Sequence, residues 1–171
     1  NVKVTSEADD LYALTRRCAG ALEQVHAAGK FGLYAGPWLS PSGPGEVMFN
    51  AVRLPFDSTS AEETTRAEMK GRRDAWAMFE LWRERLPEFA GSHFVTSGPT
   101  VGARESRRIA GGYTLTADDI LKSRPFPDAI ARGSWYIDRH PLESSGFHRH
   151  VTVKAYDIPY RTLLPHGVDN L

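Results

Sequence analysis

Between residues 102 and 113 the chain carries a dense run of charge, followed at once by two glycines and a tyrosine. The run reads Gly-Ala-Arg-Glu-Ser-Arg-Arg-Ile-Ala-Gly-Gly-Tyr. We predict a β-strand here, with Arg104 and Arg108 on one face and Glu105 and Arg107 on the other. A guanidinium is a rigid fork of donors that suits anionic or planar partners. The alternative is a solvated edge strand on which Glu105 pairs with the neighbouring arginines.

The composition is that of a globular domain with a core. The chain has 171 residues, of which 41% are hydrophobic and 11% aromatic, so we predict a single domain over residues 1–171. Basic and acidic residues number 21 each, and this balance indicates neither a nucleic acid nor an anionic membrane as partner. No apolar run approaches the roughly 20 residues that a membrane-spanning helix needs.

Apolar residues at spacings of three and four predict two amphipathic helices. In the first, an acidic cap at residues 6–9 precedes the stripe Leu11, Leu14, Cys18, Leu22 and Val25. We expect Gly29 to end this helix, and we assign Cys18 to the core rather than to catalysis. The second helix begins at the capping box of residues 60–63 and ends near Pro87.

Aromatic and β-branched runs at residues 31–35 and 47–56 predict two strands. They should pair antiparallel, because the loop of residues 36–45 between them is too short for a crossover helix. Further along the chain we predict a short helix beginning at Thr116, a helical turn at residues 128–132, and strands at residues 135–140 and 151–158. The fold class is therefore α+β, with a mainly antiparallel sheet and packed helices.

Two later segments complete a set of three ordered motifs. Residues 128–133 read D-A-I-A-R-G, and residues 158–165 read I-P-Y-R-T-L-L-P, followed by D-N-L at the end of the chain. With the arginine-rich run they resemble the FAD-dependent oxidoreductase family, whose members carry G-x-R-E-[ST]-R-R-I-x-G-x-Y-x-L-[ST], D-A-I-A-R-G and I-P-Y-R-[ST]-L-[LIV]-P in this order. The resemblance covers residues 100–171, and the first half matches in general character only.

The resemblance implies that FAD is the cofactor of the intact protein, and that this chain is the substrate-side or cap portion that covers the flavin. Such enzymes bind the pyrophosphate at a G-x-G-x-x-G turn, which the 171 residues do not contain. We therefore expect the Rossmann-type FAD-binding domain of the same protein to be missing here. Alone, the chain should hold no FAD, be inactive, and self-associate through the exposed interface. The alternative is a non-enzymatic α+β module that binds a small ligand or a protein.

The resemblance also nominates the residues that border the cofactor. Pro159, Tyr160 and Arg161 match the P-Y-R of the third motif, which lies close to the isoalloxazine in that family. Glu105, in the first motif, joins them as a cofactor-binding candidate. The alternative is that the two prolines of the third motif merely frame a rigid loop.

Catalytic roles fall to Arg104 and His140. Arg104 would hold an anionic substrate or stabilise charge on the reduced ring. His140 follows Asp138 and would move a proton while the flavin takes a hydride from a small-molecule substrate. The alternatives are an Arg–Glu network that holds the sheet, and a histidine bonded to a backbone carbonyl. No metal is expected, because His148 and His150 lack nearby ligands at the spacings of known sites.

Overall fold

The described residues of the computed structural model are 2–3, 10–104, 106–138, 145 and 150–169. They form α-helices and antiparallel strands, which confirms the predicted α+β class. The chain separates into two compact units. The first comprises Asn1–Ser106 and Pro141–Phe147, and the second comprises Arg107–His140 and His148–Leu171.

The first unit begins with the amphipathic helix α1, Leu11–Ala27. Asp10 caps it, since its carboxylate accepts hydrogen bonds of 3.0 Å from the backbone of Tyr12 and of Ala13. The predicted stripe lies in the core, with Leu14, Cys18 and Leu22 fully buried. Gly29 ends the helix as predicted: its φ of 68° is left-handed, and the next amide donates to the carbonyl of Val25 at 3.0 Å.

The predicted antiparallel pair is confirmed, but its loop is much shorter than expected. The strands are β2, Tyr34–Gly43, and β3, Glu46–Val52, with β1, Val2–Lys3, and β4, His93–Phe94, beyond them in the order β2-β3-β1-β4. The prediction of a loop over residues 36–45 was therefore wrong. Ladder pairing with β3 extends the strand through Pro41 despite two prolines, and the reversal is confined to a tight turn around Gly45, whose φ is 67°.

The long helix α2, Ala61–Arg85, completes the core of the first unit. The Ser60 hydroxyl caps it by accepting from the amide of Glu63 at 3.3 Å, as in a capping box. The Glu63 carboxylate, however, accepts from the amide of Asp57 at 2.7 Å, so the bond to Asp57 takes the place of the predicted bond back to Ser60. Trp82 stacks on Phe49 with ring centres 4.5 Å apart. No helix in the described part of the chain combines the length and apolarity that crossing a membrane requires.

The second unit is built around a short two-stranded sheet. It contains α3, Ala117–Leu121, then β5, Ala129–Gly133, paired antiparallel with β6, Tyr156–Pro159. The helix predicted from Thr116 is confirmed. The helical turn predicted at residues 128–132 was wrong, because this segment pairs with β6 and is extended. Of the strands predicted at 135–140 and 151–158, the described parts contribute β6 and one bridge, Ile137 to Val151.

The strand predicted for the arginine-rich run was also wrong. Its described residues are irregular and exposed up to Gly111, which forms a single bridge with Pro165. Closely spaced arginines gain little from a ladder that would desolvate them, so the extended pattern has no buried face to stabilise it. Backbone pairing begins at Gly111, after the last arginine of the run.

Candidate functional site

The three sequence motifs meet in the second unit. Strand β5 belongs to the D-A-I-A-R-G motif and pairs with β6, which leads directly into the P-Y-R motif. The end of the arginine-rich run joins the same place: the amide of Gly112 donates to Leu164 at 2.9 Å, and the amide of His166 donates to Ala110 at 2.7 Å. Segments that are more than 50 residues apart in the sequence thus share one hydrogen-bonded surface.

The two glycines of the first motif allow this approach. A Cβ on Gly111 would lie 2.9 Å from the carbonyl oxygen of Thr162, which is backbone and cannot swing away. A Cβ on Gly112 would lie 3.4 Å from the carbonyl oxygen of Arg161, which is a tighter fit than most side chains make. Glycine at 111 is therefore required by close backbone packing rather than by an unusual φ.

Gly133, the last residue of the second motif, has a different neighbour. It lies opposite Tyr156 in the β5–β6 ladder, and a Cβ there would lie 2.5 Å from the Tyr156 ring. The aromatic ring covers the glycine across the strands, so a larger residue at position 133 would have to displace the Tyr156 ring.

Arg161 is fastened to Asp128. Its Nη1 donates to Oδ1 of Asp128 at 2.6 Å, and its backbone amide donates to Oδ2 of the same carboxylate at 3.3 Å. The amide of Tyr160 donates to the Asp128 carbonyl at 2.8 Å. One aspartate, the first residue of the second motif, thus holds two consecutive residues of the third.

Two aromatic rings pack against this pair. The Arg161 guanidinium lies 4.9 Å from the centre of the Tyr113 ring and 5.4 Å from that of Phe126. The two rings meet edge to face at 5.4 Å. Arg124 covers Phe126 as well, at 5.3 Å. Cation–π contacts of this kind stabilise a guanidinium while fixing its plane.

A second carboxylate, Asp119, balances Arg124. It is buried, accepts from the Tyr113 hydroxyl at 2.7 Å and from the Thr116 hydroxyl at 2.7 Å, and receives Arg124 at 3.2 Å. The Tyr113 hydrogen bond, followed by those of Thr116, holds the pKa of Asp119 well below its usual range. The same bond to Asp119 raises the pKa of Tyr113, because it favours the protonated phenol.

We call this set the aromatic–arginine cluster; its members are Tyr113, Asp119, Arg124, Phe126, Asp128 and Arg161. The two arginines are matched by two aspartates within hydrogen-bonding distance. The cluster is therefore close to neutral, and its chemistry is that of a rigid support rather than of a free cationic site.

The residues that remain available to a ligand stand beside the cluster. Pro159 is fully buried and sets the direction of the chain, whereas the Tyr160 side chain that follows is 49% exposed. Leu163 and Leu164 are exposed in the next turn of the same motif. The third motif thus presents an aromatic ring and aliphatic side chains on a backbone that Asp128 holds in place.

Comparison with known families shows to which family the chain belongs. The model of the FAD dependent oxidoreductase family matches residues 3–171. The chain belongs to this family. The match also covers the first half, which the motifs alone had left out. No curated protein and no solved structure matches the chain significantly.

Family membership implies FAD as the cofactor of the intact enzyme. Of the residues nominated from the sequence for its chemistry, Pro159, Tyr160 and Arg161 lie together in the second unit. Arg104 lies in the first unit, where it is exposed, and its charge is the second cause, after burial, that lowers the pKa of Arg53. Glu105 and His140 lie outside the described residues.

The sequence patterns gave no role to the residues that support Arg161. Asp128 is the first residue of the second motif and Tyr113 lies within the first, so both were visible in the sequence. Arg124 and Phe126 stand between motifs and carried no such signal. Near the predicted histidines, His150 stacks on Tyr136 at 3.8 Å. Within the described ranges no three histidine, cysteine or acidic side chains come together as metal ligands.

Proposed function

We propose that this chain forms the substrate-side or cap portion of an FAD-dependent oxidoreductase, with Pro159, Tyr160 and Arg161 bordering the flavin. The proposal rests on one observation. The second motif holds the third in place, because Arg161 donates to Asp128 at 2.6 Å. A loop that borders a reacting ring must be held still, because small misplacements are costly to the reaction rate.

The exposed side chains beside the cluster suit a flavin ring. An isoalloxazine is flat and largely apolar, and Tyr160, with the neighbouring leucines, supplies an aromatic and aliphatic surface of that character. FAD would supply the redox chemistry of hydride acceptance when bound. Tyr160 would pack near its ring and exclude water from it.

Arg161 acts in this proposal through position as well as charge. Asp128 compensates most of its charge, and Tyr113 and Phe126 fix its plane. Its N–H groups that Asp128 does not bind would favour negative charge on a nearby ring or substrate. Arg104 and His140 stay proposals for substrate binding and proton transfer.

The experiment uses the flavin-loaded protein that contains this chain. Tyr160→Ala removes the exposed ring, and we expect a shift in the flavin absorbance bands and flavin reduction slowed by about tenfold or more. Tyr12→Ala is the matched control, because Tyr12 is an exposed tyrosine on α1 in the first unit. Unchanged spectra and reduction rates in the Tyr160 variant would remove this residue from the flavin border.

A further inference from the structure

A shallow groove of about 400 Å³ runs along helix α2 in the first unit. Its lining residues are Arg72, Arg73, Trp76, Phe94 and Ser97. It lies wholly within that unit and shares no residue with the aromatic–arginine cluster. No described residue of the three sequence motifs lines it, so the proposed flavin function leaves it unexplained.

One wall of the groove, the segment after β4, is hydrogen-bonded to helix α2. Arg72 donates to the Ser97 hydroxyl at 2.5 Å and to the Pro99 carbonyl at 3.0 Å. Its other partner is Glu68, at 3.3 Å, and that carboxylate also accepts from the amide of Val101. These bonds hold the segment after β4 against α2, so the groove is formed before any ligand arrives.

The floor of the groove is aromatic. Trp76 packs on Phe79 at 5.7 Å and on Phe94 at 5.5 Å between ring centres, which fixes the indole while leaving it 51% exposed. The indole is an aromatic side chain with a large apolar face and one polar N–H, so it can pack against a flat ligand. The open ring offers a flat apolar contact.

Arg73 stands next to this floor and is uncommitted. It is exposed, and within the described residues it makes neither an ion pair nor a hydrogen bond. The other cations of this stretch are engaged: Arg72 holds Glu68, and Lys70 pairs with Asp74. The groove therefore combines an aromatic floor with one free guanidinium.

We propose that this groove binds a small planar monoanion, an aromatic carboxylate, with its ring on Trp76 and its carboxylate on Arg73. The guanidinium fork matches a carboxylate in a bidentate fashion. A single free arginine suits one negative charge, whereas a phosphate group attracts several donors. The aromatic floor requires that the anion carry a flat apolar body, which inorganic ions lack.

The test uses the 171-residue chain labelled with ¹⁵N and two matched probes, 2-naphthoate and its uncharged analogue 2-naphthamide. The indole N–H signal of Trp76 is assigned with Trp76→Phe. We expect 2-naphthoate to shift this signal saturably, and 2-naphthamide to bind about tenfold more weakly, since it lacks the charge for Arg73. High salt should weaken the binding of 2-naphthoate and leave the binding of 2-naphthamide unchanged.

Arg73→Met keeps the aliphatic stem and removes the charge, and we expect it to weaken naphthoate binding by about tenfold or more. Arg66→Met is the control, because Arg66 is exposed on the same helix but pairs with Glu62 at 3.3 Å, and it should change binding by less than about twofold. An undisturbed Trp76 signal, equal affinity in the Arg73 variant, or displacement by inorganic phosphate at equal concentration would each overturn the proposal. Retained signal dispersion in each variant shows that it is folded.

Discussion

The guanidinium of Arg161 and the carboxylate of Asp128 are joined by a hydrogen bond of 2.6 Å, and this contact ties the third sequence motif to the second. The backbone amide of Arg161 reaches the same carboxylate at 3.3 Å. Asp128 accepts from both the side chain and the main chain of Arg161, so it fixes the position of the loop and also compensates the charge of the guanidinium. Variants of this pair should therefore affect both stability and flavin chemistry.

Arg161→Met in the flavin-loaded protein should slow flavin reduction by roughly tenfold to a thousandfold. The loop would lose its side-chain bond to Asp128, and the positive charge of the guanidinium would be removed. The free energy of unfolding should fall by about 1–2 kcal/mol, since the ion pair is half-exposed and two cation–π contacts are lost. Stopped-flow reduction and thermal unfolding measure the two effects.

Arg132→Met serves as the control for that variant. Arg132 lies on β5, is 72% exposed, and pairs with Asp157 at 3.3 Å. It should leave both the reduction rate and the stability nearly unchanged. If Arg161→Met loses its fold while the folded fraction reduces flavin at the normal rate, Arg161 is purely structural.

Gly111→Ala should destabilise the second unit by about 1–3 kcal/mol, because its Cβ would lie 2.9 Å from a backbone carbonyl oxygen and force the paired segments apart. Gly112→Ala should cost less, since its nearest atom is at 3.4 Å. Gly102→Ala, which meets open space, is the control. Hydrogen exchange at the amides of Gly112 and His166 reports the loss, and equal exchange in all three variants would contradict the packing argument.

Asp119→Asn should weaken the second unit at neutral pH and leave it little changed in strong acid. The folded-state pKa of Asp119 is depressed, so its contribution is present above the unfolded value near 4 and is lost as the pH falls through the folded value. Denaturant unfolding of both proteins from pH 7 to pH 2 measures this. A difference that stayed constant across this range would mean that ionisation of Asp119 does not contribute.

Cys18 should resist thiol reagents until the first unit unfolds. Burial, and then the charge of Glu88, raise the pKa of its thiol to about 12, so at pH 8 only about one thiol in ten thousand is ionised. Because the pKa of the Cys18 thiol is raised in the folded state, folding favours the protonated thiol. The stability of the first unit should therefore be unaffected by Cys18 below the unfolded pKa and should fall as the pH rises toward 12. Modification at equal rates with and without denaturant would place Cys18 at an accessible site.

How far the elements were predictable depended on whether their stabilising contacts are local. Helix α1 follows from its apolar stripe and from Gly29, and α2 follows from its serine cap, since these signals act within a few residues. The arginine-rich strand and the turn at residues 128–132 were wrong for the opposite reason. The arginine-rich run has no buried face that would stabilise a strand, and the conformation of residues 128–132 depends on pairing with β6, which local propensity does not record.

The sequence by itself determined the fold class, the two long helices and, through three ordered motifs, the family. Only the tertiary structure decided that the motifs meet, that Asp128 holds Arg161, and that Tyr113 and Phe126 support the pair. The physical reason is that a motif constrains residue types along one stretch of chain. An ion pair across 33 residues, with aromatic rings around it, exists only after strands β5 and β6 have brought those residues together.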